Sequence, residues 1–264
     1  MKSVGVVLQI DEHLILDYEL LQHKSSQILA ECRCVLEAQC DQELRAEEEL
    51  VRDVKLELDR TTQALIASRL FEETGVVAIG EEGFERMPEG PEPFWLIDPI
   101  DGSFNVWSGV KIAAISVALI QDGEPVVGVI QDLFSEDQIS AVLGGGVTLN
   151  KTKQSNFSTT NYGSDNRPCG LLLTGVTPSL SSDSAQLSDF IVSCSARFKK
   201  IRMLGSACIS LLRFGQGKCD AVIFKGIHFW DVAAGIIISR EMGCVPKWVC
   251  VDANRALGDF ECVR

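Results

Sequence analysis

Long apolar segments are missing from this sequence. Although 46% of the 264 residues are hydrophobic, no apolar run approaches the ~18 residues that a helix needs to cross a bilayer. The first residues also lack the basic region, apolar core and cleavage site of a secretory signal. We therefore expect a cytoplasmic protein that does not associate with membranes, with enough apolar residues to bury a substantial core.

Positive charge is scarce. The chain carries 24 lysines and arginines against 37 acidic residues, a formal net charge of −13. Such an excess of negative charge disfavours binding to nucleic acid or to an anionic membrane surface. An anionic small molecule would need local cations, and bound metal ions would provide them.

Zinc-binding cysteine spacing is also missing, although ten cysteines are present. Cys32 and Cys34 form a C-x-C pair inside a stretch of helical character, with no second pair of ligands at zinc-finger spacing. Cys194, Cys208 and Cys219 neighbour apolar residues, where cysteine behaves as a small buried hydrophobe. We expect reduced structural thiols and neither disulfides nor a zinc site.

The sequence does contain an acidic motif, FWLIDPIDGSFNV, at residues 94–106. Its apolar start predicts a buried strand that stops at Asp98, followed by a turn through Asp101 and Gly102 and a helix from Ser103. Two neighbouring carboxylates favour a hard cation such as Mg²⁺, and free backbone N–H groups at a helix start favour a phosphate. The alternative is that Asp-Pro and Asp-Gly are ordinary turn dipeptides.

Three further acidic residues stand at the ends of two predicted elements. Glu81 and Glu82 follow a short predicted strand at residues 77–80, and Asp231 lies in the first turn of a predicted helix that begins near Trp230. Taken singly, the glutamates could form a solvated loop and Asp231 could be a favourable partner of the helix dipole.

Together these motifs, Gly80-Glu81-Glu82, residues 98–103 (DPIDGS) and residues 230–235 (WDVAAG), resemble the inositol monophosphatase family. The resemblance extends from about residue 51 to residue 243. This family belongs to the Mg²⁺-dependent, lithium-sensitive phosphatases of sugars and nucleotides. The resemblance implies a phosphoric monoester hydrolase that acts on a small phosphorylated sugar or polyol, inositol monophosphate above all.

The resemblance also implies the site residues. Two or three Mg²⁺ ions would be held by four carboxylates and one backbone carbonyl, those of Glu81, Asp98, Asp101, Asp231 and Ile100. Catalysis would involve Glu81 together with Ser103 and Asp59, which would orient the attacking water. The segment that ends at Asp59 lacks the threonine usual between its two acids, and Glu48 stands near the place of a family lysine. The alternative for Asp59 is an exposed acid at a helix start.

Substrate contacts are implied for Gly102, Ser103, Asp231 and the Gly205-Ser206-Ala207 stretch. Phe224, however, stands where enzymes selective for inositol phosphates carry an acid, and Lys225 follows it. Lys225 could pair with a second phosphate, which would favour a 3′,5′-bisphosphate nucleotidase or a fructose-1,6-bisphosphatase. Its alternative is an exposed lysine at a strand end. A non-catalytic relative that only binds ligands is the remaining possibility.

Patterning along the chain predicts an α/β fold. Residues 14–50 and 61–73 have helical character, residues 112–120 and 126–132 form a predicted hairpin around Asp122-Gly123, and strands and helices alternate after residue 169. The polar stretch 151–167 predicts a boundary between an N-terminal half, residues 1–150, and a C-terminal half, residues 151–264. The resemblance implies the layered α-β-α-β-α sandwich of the inositol monophosphatase and fructose bisphosphatase type, in a homodimer, with a shortened or missing closing segment.

Overall fold

A computed structural model describes residues 16–40, 46–50, 53–155, 169–177 and 183–264 of the chain. Within these ranges the helices are α1 (Tyr18–Cys40), α2 (Glu57–Thr74), α3 (Ser103–Trp107), α4 (Ser184–Arg197), α5 (Ala207–Gly215) and α6 (Phe229–Glu241). The strands in the same ranges are β1 (Ala46–Leu50), β2 (Asp53–Leu56), β3 (Ala78–Gly80), β4 (Phe94–Asp101), β5 (Ala114–Gln121), β6 (Glu124–Asp132), β7 (Gln138–Val142), β8 (Gly146–Leu149), β9 (Thr152–Gln154), β10 (Cys169–Thr174), β11 (Phe198–Met203), β12 (Ala221–His228), β13 (Lys247–Asp252) and β14 (Leu257–Val263).

Seven strands form a sheet in the order β3-β4-β5-β6-β7-β8-β9. Strand β3 runs parallel to β4, and each later pair is antiparallel. The hairpin predicted at Asp122-Gly123 is confirmed, because both residues have the positive φ angles, 52° and 77°, that a two-residue hairpin turn requires. The side chains of β4, β5 and β6 are almost all buried, since helices cover both faces of this sheet.

A second sheet has five strands in the order β11-β10-β12-β14-β13. Strand β10 is parallel to both β11 and β12, whereas β14 is antiparallel to β12 and β13. Helices α5 and α6 lie between the two sheets. Their apolar side chains, such as Leu212 and Ile237, share one core with Leu96 of the first sheet and Phe260 of the second.

The outer helices complete the layers. Helices α1 and α2 pack on the other face of the seven-stranded sheet, where Leu29 and Ile66 join Trp95 and Val117 in a second core. Helix α4 covers the other face of the five-stranded sheet. The order is therefore helices, sheet, helices, sheet and helix, which confirms the predicted α-β-α-β-α sandwich.

The prediction of one helix over residues 14–50 was wrong at its C-terminal end. Helix α1 ends at Cys40, and residues 46–50 form β1, which pairs with β2 as an antiparallel ribbon. The Glu-rich sequence of β1 has helix-forming local preferences, but cross-strand pairing overrides such preferences. Residues 14 and 15 lie outside the described residues.

Other sequence predictions concern the chain beyond the first sheet. The polar stretch at 151–167 begins with β9, which still belongs to the seven-stranded sheet, and residues 156–168 lie outside the described residues. The division into halves at residue 150 stays a prediction. Strand β14 lies between β12 and β13, so the residues after the predicted strand at 245–251 form a strand inside the second sheet.

None of the helices in the described ranges is long and apolar enough to cross a membrane.

The contact between α6 and the seven-stranded sheet depends on Gly128 in β6. A Cβ atom at this position would lie 2.6 Å from Cγ2 of Ile237 and 2.8 Å from the backbone of Ala234. We expect Gly128→Ala to lower the free energy of unfolding by about 1–3 kcal/mol, because backbone atoms cannot yield as a flexible side chain does. Urea unfolding measures this change.

Gly175→Ala is the matched control, because the nearest atom to its Cβ would be Cε1 of Phe224 at 3.6 Å, an ordinary van der Waals distance. Equal urea midpoints for the two variants would show that α6 does not pack closely on β6.

Candidate active site

A β-bulge in β4 brings the two acids of the central motif to one face of the sheet. Asp98 pairs with Ser116 and Asp101 pairs with Ala114. The two acids are therefore three positions apart in β4, whereas their partners are two positions apart in β5. Side chains three positions apart normally point to opposite faces, and the extra residue restores a common face. The predicted end of the strand at Asp98 was therefore wrong, because the bulge accommodates Pro99 and the strand continues to Asp101.

Asp98 lies at the centre of the acidic group. It is 1% exposed, and neither of its carboxylate oxygens has a hydrogen-bond partner among the residues that the structure describes. Burial raises the pKa of Asp98 well above its usual range, and the charges of Asp101, Asp231 and Glu81 raise it further. The four acids predicted from three separate motifs therefore come together, and they repel one another.

Hydrogen bonds from α5 hold Asp101 in place. Ser206 caps the helix and donates its hydroxyl proton to Oδ2 of Asp101 at 2.6 Å, and the backbone N–H of Cys208 donates to the same oxygen at 2.5 Å. Burial raises the pKa of Asp101, and these hydrogen bonds partly oppose that rise. The Gly205-Ser206-Ala207 stretch, predicted to contact substrate, thus also positions a candidate metal ligand.

Asp231 and Glu81 approach from two other elements. Asp231 lies in the first turn of α6, where the backbone N–H of His228 donates to its Oδ2 at 3.2 Å. Glu81 follows β3, and its N–H donates to the carbonyl oxygen of Ile97 in the neighbouring strand at 3.1 Å. The side-chain amide of Gln63 holds the following residue, Glu82. Its nitrogen donates to the carbonyl oxygen of Glu82, and its oxygen accepts a hydrogen bond from the N–H of Glu82.

Asp59 and Ser103 form a hydrogen-bonded pair beside the acidic group. The hydroxyl oxygen of Ser103 lies 2.8 Å from Oδ1 of Asp59 and 2.9 Å from the carbonyl oxygen of Ile100. Asp59 stands in the first turn of α2 and is 3% exposed. Its alternative interpretation as an exposed acid is therefore wrong, because the helix turns this carboxylate inward towards Ser103.

Two glycines allow the loops around the pair to approach closely. Gly102 has a φ angle of 100°, and a Cβ there would lie 2.9 Å from the carbonyl oxygen of Ile112. A Cβ at Gly205 would lie 2.9 Å from the side-chain amide of Asn105. That amide donates to the carbonyl oxygens of Ile112 and Leu204, which ties α3 to the chain entering α5.

Sequence reasoning missed three residues of this region. Gln63 and Asn105 hold the loops, and the thiol of Cys208 lies near the carboxylates of Asp98 and Asp101. The available signal for Cys208 was its position directly after Gly205-Ser206-Ala207, whereas Gln63 and Asn105 have no sequence signal because each acts on a distant segment.

The donor set fits hard divalent cations. Carboxylate and carbonyl oxygens are the ligands that Mg²⁺ takes in proteins, and the unpartnered oxygens of Asp98 are buried where a bound cation would compensate their charge. Glu81, Asp98, Asp101, Asp231 and the carbonyl of Ile100 are the groups that could hold such ions. These residues therefore form a candidate site for divalent cations.

The chain belongs to the inositol monophosphatase family, whose family model matches residues 10–254. It is thus a phosphoric monoester hydrolase of a metal-dependent family, which confirms the family resemblance. It is 30% identical to the inositol-1-monophosphatase ImpA of Mycolicibacterium smegmatis, over 73% of this chain and 69% of that protein. It is also 28% identical to the inositol-1-monophosphatase of Bacillus subtilis, over 72% of this chain and 71% of that protein.

Other relatives carry different names. The chain is 30% identical to a fructose-1,6-bisphosphatase/inositol-1-monophosphatase of Thermotoga maritima, over 73% of this chain and 70% of that protein. It is also 30% identical to the Nus factor SuhB of Xylella fastidiosa, over 72% of this chain and 67% of that protein. The solved IMPase structure from Thermotoga maritima has a TM-score of 0.74 at 26% identity and 90% coverage of both chains.

Replacing the carboxyl group of Asp98 should weaken metal binding without lowering the stability of the metal-free protein. We expect Asp98→Asn to be at least as thermostable as the wild type in the presence of EDTA, because an amide is neutral, whereas the wild-type carboxyl must either bury a charge beside three acids or take up a proton. Millimolar Mg²⁺ should raise the melting temperature of the wild type, as a ligand of the native state does, and should leave that of the variant almost unchanged. Calorimetry with EDTA and with Mg²⁺ measures both effects.

Asp122→Asn is the matched control, since it makes the same chemical change in the exposed hairpin turn. It should preserve the response to Mg²⁺. An Asp98→Asn protein that gains as much stability from Mg²⁺ as the wild type would contradict the placement of the metal site.

Proposed function

We propose that this phosphatase hydrolyses inositol monophosphate with Mg²⁺ ions bound at the acidic group. The observation that carries the proposal is the convergence of Glu81, Asp98, Asp101 and Asp231 beside the Asp59–Ser103 pair. Relatives named inositol-1-monophosphatase support the choice of substrate. Assembly as a homodimer and a cytoplasmic location stay predictions.

The four carboxylates and the carbonyl of Ile100 would hold two or three ions. When bound, Mg²⁺ acidifies a coordinated water and neutralises charge on the phosphoryl oxygens, which together lower the barrier to a very slow reaction. The carboxylates alone would repel a phosphate monoester. The protein contributes their placement, since hydrogen bonds from α5 and from the start of α6 hold Asp101 and Asp231 in place.

The Asp59–Ser103 pair would orient the attacking water. Asp59 accepts a hydrogen bond from the hydroxyl group of Ser103. The lone pairs of the serine oxygen are therefore available to accept a hydrogen bond from water. The water oxygen then bonds to phosphorus while the bond from phosphorus to the ester oxygen breaks. One proton of the water ends on the leaving alcohol, and inorganic phosphate is the second product. Asp59, as the buried base of the pair, would help to transfer that proton.

The phosphate would lie near the backbone of Gly102 and Ser103, at the start of α3. Ring hydroxyls would contact Asp231 and the Gly205-Ser206-Ala207 stretch. Because the Ser206 hydroxyl already donates to Asp101, it could only accept a hydrogen bond from a substrate hydroxyl. This arrangement would couple substrate binding to the position of Asp101.

The surroundings of Phe224 and Lys225 bear on the alternatives. Phe224 is buried in the core between the sheets and offers no acceptor to a sugar hydroxyl. Lys225 forms an ion pair with Asp259, with Nζ 2.6 Å from Oδ2, so the bisphosphate alternative draws no support from a free lysine. The fructose-1,6-bisphosphatase alternative is supported by the name of the Thermotoga maritima relative.

Asp59→Asn tests the proposed water-orienting pair. An amide keeps the size of the side chain and can still bond Ser103, but it cannot accept a proton, so we expect kcat to fall by about 10²–10⁴-fold. KM and the stabilisation by Mg²⁺ should change little, because the metal-binding carboxylates remain. Steady-state phosphate release and calorimetry provide the two measurements. A variant with near wild-type kcat would remove Asp59 from the mechanism.

A substrate panel tests the proposed specificity. The compounds are inositol 1-phosphate, fructose 1,6-bisphosphate, 3′-phosphoadenosine 5′-phosphate and histidinol phosphate, each with and without Mg²⁺. We expect kcat/KM for inositol 1-phosphate to exceed the others by about tenfold or more, and to require Mg²⁺. Faster hydrolysis of a bisphosphate would move the assignment to that branch. No phosphate release from any compound would favour a relative that binds ligands without turnover.

A further inference from the structure

The thiol of Cys208 lies among the carboxylates of the candidate active site. Its Sγ atom and one carboxylate oxygen each from Asp98 and Asp101 all lie within 4.8 Å of one another. Cys208 is fully buried, and its thiol donates a hydrogen bond to the backbone carbonyl oxygen of Asp231 at 3.2 Å. A sulfur donor therefore stands beside the carboxylates of two candidate metal ligands and contacts the backbone of a third.

The backbone around Cys208 holds the thiol in this position. The residue lies in the first turn of α5, which Ser206 caps by accepting a hydrogen bond from the N–H of Ile209 at 3.0 Å. The N–H of Cys208 itself donates to Asp101. The thiol and Asp101 are thus parts of one hydrogen-bonded unit, and neither can move far without the other.

Asp98 provides independent support for a bound cation at this point. Its carboxylate is 1% exposed and has no hydrogen-bond partner among the described residues. A buried polar group without a partner is costly, and a cation that contacts both this carboxylate and the neighbouring sulfur would remove that cost.

We propose that Cys208 adds a soft ligand to this pocket, so that thiophilic cations such as Zn²⁺ and Cd²⁺ bind there in competition with Mg²⁺. The inference rests on the metal site of the proposed function. Carboxylates suit Mg²⁺, whereas a thiolate selects Zn²⁺ and similar soft ions. On binding, the S–H bond breaks, a sulfur–metal bond forms and the proton leaves to solvent, with no change of oxidation state. Zn²⁺ should therefore inhibit phosphate release.

Cadmium titration of the full chain provides the first test, because a Cd²⁺–thiolate bond absorbs in the ultraviolet. The exposed thiols of Cys34 and Cys250 will contribute to the band whether or not Mg²⁺ is present. We expect a further component that saturating Mg²⁺ suppresses. A band that Mg²⁺ leaves unchanged would overturn the proposal, and this readout needs neither enzymatic activity nor a variant.

Cys208→Ser provides the second test, since it keeps the size and hydrogen bonding of the side chain and replaces sulfur with a hard oxygen. The variant should lack the Mg²⁺-sensitive cadmium band. We expect it to lower the affinity for Zn²⁺, measured against a chelator, at least about tenfold more than it lowers the affinity for Mg²⁺. Cys219→Ser, at another buried thiol, is the matched control and should retain the band.

The outcomes separate this inference from the proposed function. If neither Mg²⁺ nor Cd²⁺ raises the melting temperature of the wild type, the metal site itself is wrong. If Mg²⁺ stabilises the protein but Cys208→Ser keeps the Mg²⁺-sensitive band and the Zn²⁺ affinity of the wild type, the metal site stands and the role of Cys208 is wrong.

Discussion

Mutual repulsion among four neighbouring carboxyl groups, of which that of Asp98 is buried, is the constraint on which the rest of the site depends. Asp98 is buried with no hydrogen-bond partner in the part of the chain that the structure describes, and it is surrounded by the acidic side chains of Asp101, Asp231 and Glu81. A protein of marginal stability retains such a cluster only where a cation or a bound proton reduces the repulsion, or where the surrounding structure enforces it. The two sheets and the helices between them provide that enforcement, because they bring elements from distant parts of the chain to one point.

The helices between the sheets connect the core with the chemistry. The N-terminal ends of α5 and α6 supply the groups that bond Asp101 and Asp231, while their apolar residues fill the space between the sheets. Gly128 lets α6 pack directly on β6, so the position of Asp231 depends on close packing in the centre of the molecule. Stability and the placement of the candidate metal ligands are therefore linked through the same helices.

Short sequence motifs predicted much of the site. Gly80-Glu81-Glu82, DPIDGS and WDVAAG pointed to the family through their combination and order, and they contain the four acids that the fold brings together. The layered fold followed from the resemblance and from the alternation of elements after residue 169. The helix expected through residues 46–50 was wrong, since pairing with β2 outweighs the local preference of a Glu-rich segment.

The sequence by itself determined the family, through three motifs in a recognisable order, and the hairpin at Asp122-Gly123, through the turn preference of two neighbouring residues. Tertiary structure alone decided that a bulge aligns Asp98 with Asp101, that Asp59 is buried and not exposed, and that Cys208 lies beside the carboxylates. Each of these outcomes depends on register and packing between segments far apart in sequence, and neither motif spacing nor residue type encodes such distances.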